Sequence, residues 1–506
     1  MLDTGSSGLY HLLRKGTHFG FDPRAWEGGL DDANLSNHDV ARDEEDMKST
    51  PQHLRTECLS VSIGERLDWE APVDSGSVPK DGSSFDAIVV GGGPGGSAAA
   101  SFLAMNGAKV LLLEKAIYPR DKTCGDAVGG KSLKHVEELG IKGILEETPH
   151  FRVDGIVFGA PNGKEVRIAL PEEEVEQREA GYSLPRRQFD TILFRNANDR
   201  VLEAGGAVIQ GFSVKHVHIE NDCVTGVSGT HDKKEFHFTA PLTIGAGGYT
   251  CPVAKAVTGH HDEPMVDKDH YCGAYREYWT GVEGCEDWKG AIEIHFIDGV
   301  IPGYFWIFPV GNGVVNVGVG MVLTEMDKQK TKLRALQEWV INEDPKFSKR
   351  FANAKMVEKT GKGFQLPFGS PRKKVPSFQP RRSAMAGAIC VGDAASLVDP
   401  FTGEGIGNAL LSAKLAVDLV YEKYSEGFTS EGAEEYQHKL WGELSAELTN
   451  SYKLQRLVKR KWLMNFFIGK AVKKEELQRA LTDMIASKEA QGQFHSKWWM
   501  VKTLLF

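Results

Sequence analysis

The stretch Asp86-Ala-Ile-Val-Val-Gly-Gly-Gly-Pro-Gly-Gly-Ser-Ala-Ala-Ala100 leaves this chain few folds to choose from. Ala87 to Val90 is a short, wholly apolar run. Such runs suit a parallel strand covered on both faces. A tight glycine turn follows, and then a helix built of small residues. Gly91-x-Gly93-x-x-Gly96 fits the dinucleotide fingerprint. The first glycine makes the turn, the second lets backbone approach a pyrophosphate, and the third lets helix pack on strand. The pyrophosphate would sit on free N–H groups at the positive end of the helix. A second strand, Ala108 to Leu113, ends in Glu114. That acid stands about twenty residues beyond the turn, the spacing of a ribose-binding carboxylate.

A second element identifies the dinucleotide. Ala388-Ile-Cys-Val-Gly-Asp-Ala-Ala395 reads as a strand running into Gly392-Asp393. Asp399-Pro-Phe-Thr-Gly-Glu-Gly-Ile-Gly-Asn408 and an alanine-rich helix come next. An acid at a strand end can accept a hydrogen bond from a ribityl hydroxyl. A helix N-terminus reached through Gly403 and Gly405, ahead of Ile406, can donate N–H groups to a flavin carbonyl and stabilise negative charge on a reduced ring. An NAD enzyme has no use for this second element. FAD, extended between the two, accounts for both.

Together these motifs resemble the FAD-dependent geranylgeranyl reductase family, within the flavoprotein hydroxylase-like superfamily. The resemblance spans roughly residues 85 to 420. It rests on the glycine fingerprint, Glu114-Lys115 with Tyr118-Pro119-Arg120, Lys122-Thr123-Cys124-Gly125, and Arg186-x-x-Phe189-Asp190. It also includes Tyr304-x-Trp306-x-Phe308-Pro309 and Gly392-Asp393 with Pro400-x-x-Gly403-x-Gly405-Ile406. The fingerprint and the Gly-Asp element belong to the whole superfamily. Cys124-Gly125 and the aromatic strand are more specific to the prenyl reductases. One position departs: Gly247 stands where the hydroxylases carry an Asp that supports the flavin and nicotinamide neighbourhood. The electron donor is therefore expected to be NADPH or a reduced ferredoxin-type carrier, and the sequence does not choose between them.

A chain of 506 residues suffices for two or three domains. It has no run of about 18 apolar residues, so no membrane-spanning helix is expected. Met1 to Gly20 lacks a signal-peptide core. The seven scattered cysteines argue for a reducing compartment and against a disulfide scaffold or a zinc site. Residues 1–84 carry sixteen acids and eight bases, so nearly all of the net charge of −9 lies there. This stretch reads as an acidic, mostly disordered extension, with the fold starting near Phe85. Its acidity argues against a transit peptide. The body is expected to be cytoplasmic, with no nucleic-acid partner, because the chain is acidic and shows no aromatic-basic binding module.

The expected fold is α/β: a doubly wound, Rossmann-like FAD domain with an interleaved antiparallel sheet for substrate and a helical C-terminus. The FAD domain is assigned to 85–150, 180–265 and 380–425, and the substrate domain to 151–179 and 266–379. The helical end takes 426–506. Strand patterns fall at Tyr271 to Trp279, Ala291 to Ile297, Gly303 to Pro309 and Val314 to Val322, interrupted by a helix near 325–342.

Period two in Tyr304-Phe-Trp-Ile-Phe-Pro309 puts Tyr304, Trp306 and Phe308 on one face and Phe305 and Ile307 on the other. One of these faces would pack on helices or sheet core, and the other could line an apolar slot. The resemblance implies a slot for a polyprenyl chain, with Tyr304 and Trp306 beside the reacting bond. Cys124 lies among bases, which favour a reactive thiol. The resemblance puts it near the reactive edge of the flavin, as a pocket wall or a proton handler. Arg186, from the Arg-x-x-Phe-Asp motif, would brace the phosphate or ribityl region. No metal is expected.

The run 453–474 has eight bases and no acid, and the chain ends Lys497-Trp-Trp-Met-Val-Lys-Thr-Leu-Leu-Phe506. Both suit peripheral contact with an anionic membrane. The function this implies is saturation of C=C bonds in a geranylgeranyl-type chain. The alternatives are a flavin monooxygenase or halogenase and a non-catalytic electron carrier. A halogenase would need Trp at 304, Ile at 308 and Gly-Glu-Ser where Cys124-Gly-Asp126 stands.

Overall fold

The computed structural model describes residues 71–170, 172–176, 181–372, 381–474 and 478. The expectations for residues 1–70 and for 497–506 lie outside the described residues.

The apolar runs build a six-stranded sheet in the order Ala384–Met385, Ala388–Cys390, Thr243–Gly245, Ala87–Val90, Val110–Glu114, Ala207–Gln210. All neighbours are parallel except the first pair. Ile88, Val89, Val110, Leu111 and Leu112 are fully buried. Each such side chain contributes roughly 1.5–3 kcal/mol of apolar burial. The fingerprint helix, Pro94–Met105, packs between Arg186–Glu203 and Ile406–Lys423. A separate antiparallel meander, Ser213–Glu220, Cys223–His231 and Lys234–Thr239, stands beside this sheet.

The second sheet has ten strands. Its main path runs Lys355–Met356, Tyr271–Thr280, Val314–Val322, Tyr304–Gly311, Lys289–His295, Phe151–Gly159, Tyr182–Ser183, Ala127–Val128. It is antiparallel except where Lys289–His295 runs parallel to Phe151–Gly159. The hairpin 304–322 turns at Asn312-Gly313, both with positive φ, as a two-residue hairpin turn that follows the sheet's twist requires.

Three expectations are corrected. The fold begins by residue 71 rather than at Phe85. Val73 is buried, its carbonyl accepts from Gln210 Nε2 at 2.7 Å, and the Asp74 carbonyl accepts from Asn198 Nδ2 at 2.9 Å. A segment held through its backbone carbonyls needs no apolar pattern of its own. Ala127–Val128 and Tyr182–Ser183, inside segments assigned to the FAD domain, join the edge of the ten-stranded sheet. Strands of two residues have no period to read. The helix near 325–342 is two helices, Leu323–Gln329 and Leu333–Asn342, the first ending at Lys330 in the left-handed region. Among the described residues no helix is long and apolar enough to cross a membrane.

Candidate active site

A continuous cavity of about 940 Å³ lies where the two sheets meet. One part runs along the glycine turn and Gly392-Asp393. The other is walled by the ten-stranded sheet.

At the dinucleotide end, Gly91 has φ +108 and its N–H donates to the Leu113 carbonyl. A Cβ on Gly96 would sit 1.7 Å from the Gly91 carbonyl oxygen, so helix and turn touch only because it is glycine. A Cβ on Gly93 would meet nothing nearer than Arg120 Nη2 at 3.5 Å. The space in front of Gly93 is cavity, which is what a pyrophosphate pressed against bare backbone requires. Glu114 is buried. Its Oε2 accepts from Gly92 N–H at 2.6 Å and its Oε1 from Ala116 N–H at 2.8 Å. These bonds hold the carboxylate at the cavity wall with lone pairs to spare for a ribose. FAD therefore fits this end.

A charged cluster joins the two ends. Asp190 Oδ1 and Oδ2 accept from Arg186 Nε and Nη2 at 2.6 and 2.8 Å, and Arg120 Nη1 reaches Oδ2 at 2.7 Å. Burial alone would raise the Asp190 carboxyl, but Arg186 and Arg120 outweigh it and hold it below the usual carboxylate range. Arg186 also meets the Cys124 thiol. So Arg186 braces a carboxylate and a cysteine of the chain itself at the cavity wall. Lys122 Nζ stands 3.8 Å from Asp393 Oδ2 and over the Phe364 ring. Burial lowers its ammonium below the usual lysine range against the pull of Asp393.

The Gly403 turn is tied to the aromatic strand. Asp399 Oδ1 accepts from the Phe401 and Thr402 N–H groups, and Tyr304 donates its hydroxyl to the Thr402 carbonyl at 2.5 Å. Gly403 has φ +76, and a Cβ there would meet Tyr304 Oη at 2.7 Å. Gly405 caps the helix Ile406–Lys423. Glu404 Oε1 accepts from Gly407 N–H at 2.6 Å, and burial raises the Glu404 carboxyl above its usual range.

At the apolar end the period-two expectation meets the structure. Tyr304, Trp306 and Phe308 face the cavity, with Ile156, Phe158 and Ile294 nearby, while Phe305 and Ile307 lie in a separate core. The Trp306 indole lies flat on its cross-strand partner. A Cβ on Gly318 would sit 2.1 Å from Trp306 Cζ2.

The sequence reading missed the hub beneath this wall. Asn316 is fully buried. Its Oδ1 accepts from Trp306 Nε1 at 2.8 Å, and its Nδ2 donates at 2.7 Å both to the Cys124 carbonyl and to Asp126 Oδ2. The Tyr278 hydroxyl donates to Asp126 Oδ2 at 2.6 Å. Burial pushes the Asp126 carboxyl up to about 6. The available signal was one Asn in the otherwise apolar strand Val314–Val322. Away from the cavity, Glu165, Glu293 and His295 come together, but Arg350 and Lys346 already take the two carboxylates.

Comparison with known proteins agrees with this geometry. Residues 84–272 match the model of an FAD binding domain, and residues 271–362 that of a geranylgeranyl reductase catalytic domain. The chain is 32% identical over 364 residues to the digeranylgeranylglycerophospholipid reductase of Methanosarcina acetivorans, covering 71% of this chain and 81% of that one. It is 29% identical over 348 residues to the menaquinone reductase of Mycobacterium tuberculosis, covering 67% and 76%. Among solved structures, a geranylgeranyl bacteriochlorophyll reductase-like protein of Thermoplasma acidophilum superposes with a TM-score of 0.67 at 22% identity, over 83% of this chain and 98% of that one. A flavin-dependent brominase superposes with a TM-score of 0.63 at 18% identity, over 83% and 99%. The fold is thus shared with halogenases, and by the catalytic-domain match and the 32% identity to a reductase the chain belongs to the geranylgeranyl reductase family of FAD-dependent oxidoreductases.

Proposed function

We propose that the protein saturates C=C bonds along the polyprenyl chain of a lipid, and that Cys124, Tyr304 and Trp306 form the wall against which the alkene is held. The observation that carries this reading is the single cavity with a dinucleotide cradle at one end and an aromatic, apolar slot at the other. Bound FAD, once reduced, supplies the hydride. Gly91, Gly93 and Gly96 shape the cradle for its pyrophosphate, and Glu114 takes the ribose. Asp393 and the helix that starts after Gly405 and Ile406 hold the ribityl and ring side.

Trp306 and Phe308 keep the alkene flat and exclude water. Tyr304 fixes the Gly403 turn against the slot, so cofactor and substrate walls keep one spacing. A proton must reach the second alkene carbon. Cys124 stands where the apolar wall meets the Arg186–Asp190 cluster, and its main part in this reading is to shape the pocket at that boundary.

Two electrons per bond come from a donor, either NADPH or a reduced ferredoxin-type protein. The substrate is taken at a membrane surface, with 453–474 and 497–506 as the contact. The test is to reduce the FAD-loaded protein with dithionite in the presence of a geranylgeranyl lipid in detergent. Mass spectrometry should then show the lipid gaining one dihydrogen per bond as the flavin reoxidises. Flavin that cycles with no change in the lipid would make the protein an electron carrier instead.

A further inference from the structure

The helix Lys461–Ala471 shows two unlike faces. Met464, Ile468 and Ala471 are buried in the cluster that also holds Ile156, Phe158 and Ile294, three residues that line the apolar end of the cavity. Val458, at the end of the preceding helix, belongs to both the cluster and the cavity wall. On the opposite face Trp462 is 66% exposed and Phe466 41% exposed, one helical turn apart. Few large apolar side chains of the described residues are this open, and two on adjacent turns make a patch rather than scatter.

Bases crowd the same segment. Lys470 stands 5.7 Å from the Phe466 ring centroid. Among the described residues, Arg460, Lys473 and Lys474 have no acidic partner, while Lys459 and Lys461 pair with Glu325 and Asp298. No acid occurs in 453–474, although the chain as a whole is net negative.

We propose that this helix lies flat on an anionic bilayer. Trp462 and Phe466 sit at the boundary of headgroups and acyl chains, and the bases of the segment face lipid phosphates. Aromatic side chains with a basic border are the chemistry of interfacial helices, and the positive charge selects an anionic leaflet. A partner protein with an acidic face would match the charge equally well. What favours the bilayer is position: the helix packs on the residues that wall the apolar end of the cavity, so a prenyl chain leaving the membrane beside it has only a short way to go from one apolar medium to another. This rests on the polyprenyl-lipid function proposed for the cavity.

The experiment is flotation of the full-length, FAD-loaded protein with vesicles of phosphatidylcholine alone or mixed with phosphatidylglycerol. Binding is expected only to the mixed vesicles, with release at high salt. The variant Trp462→Ser/Phe466→Ser should bind at least about tenfold more weakly. Its flavin absorbance and its reduction of detergent-solubilised prenyl lipid should match the parent protein. Equal vesicle binding by parent and variant, or no binding by the parent, overturns the proposal. So does a result in which the variant instead loses a dimer by light scattering, since the patch would then be a contact between copies. The vesicle result stands apart from the detergent assay: failure to reduce lipid in detergent would remove the proposed function, and failure to float would remove only the membrane face.

Discussion

A valine at position 93 points into the cavity, where its Cβ would meet nothing nearer than Arg120 Nη2 at 3.5 Å. Gly93→Val should therefore leave the FAD-free fold as stable as before, yet weaken FAD by at least about tenfold. Flavin released on gel filtration, beside an unchanged melting temperature of the apoprotein, is the expected pair of readings. The neighbouring Gly96 behaves differently, since a Cβ there collides with the Gly91 carbonyl at 1.7 Å whether or not a ligand is bound.

Cys124→Ser nearly keeps the size of the side chain but replaces a thiol by a far weaker acid. If Cys124 shapes the pocket, alkene reduction should fall by less than about tenfold, with flavin reduction by the donor unchanged. Stopped-flow on the two half-reactions reads this. A loss confined to flavin reduction would move Cys124 to the donor side.

Asp126 gives a pH signature. Its folded pKa, raised by burial to about 6, lies above the ordinary value of 3.8. The contribution of its protonated form to stability is thus full below about pH 4 and is lost as pH rises through about 6. The size is roughly 2–3 kcal/mol. Asp126→Asn should remove that part of the difference in denaturant midpoint between pH 4 and pH 7, and a profile parallel to the parent's would show that Asp126 is not raised.

Elements were legible where a period repeats. Strand, glycine turn and helix at 87–105 announce themselves through a continuous apolar run followed by small residues, and the aromatic strand through alternation over six positions. The hub of Asn316, Asp126 and Tyr278 was not legible, because it joins two paired strands, with Tyr278 opposite Asn316, to a loop distant in sequence. Its bonds depend on register, with Phe308 opposite Asn316 and Trp306 opposite Gly318. An Asn in the middle of Val-Val-Asn-Val-Gly-Val-Gly was the one visible mark of it. Cys124 and Asp126 were visible as a motif, but not that Asn316 ties both to Trp306. The strand makes its own prediction. Trp306→Ala removes a ring from the slot and leaves the Asn316 amide oxygen without its donor. FAD should stay bound while prenyl reduction falls tenfold or more, about 1.4 kcal/mol in barrier. An unchanged rate with unchanged chain-length preference would make this strand plain core.

At the scale of the whole molecule, the cavity exists because two sheets with different rules share one chain. The parallel sheet is covered by the helices 94–105 and 186–203 and by the antiparallel meander with the helix Pro252–His260, and it supplies strand ends and helix starts, the places where backbone can hold phosphate. The antiparallel sheet has one face to give to a greasy slot and one to give to its own core. Chain crossing between them at Ala127–Val128 and Tyr182–Ser183 ties the loop bearing Cys124 to the substrate sheet rather than leaving it to the cofactor side. The segment 71–84 adds a strap over the cofactor sheet. Arg195 Nη2, Asn198 Nδ2 and Gln210 Nε2 donate to the carbonyls of Ala71, Asp74 and Val73, and Asp81 Oδ1 accepts from His237 N–H. Val73 is buried there beside them. Asn198 and Gln210 lie buried under the strap, so removing it costs the hydrogen bonds they make to it, at about 0.5–1.5 kcal/mol each, and the burial of Val73. A chain starting at residue 85 should therefore melt several degrees below one starting at residue 71, by roughly 2–4 °C per kcal/mol for a large domain. Both should retain the flavin spectrum, since no residue of the strap lines the cavity. Equal melting temperatures for the two chains would reduce the strap to a surface passenger and restore Phe85 as the start of the fold.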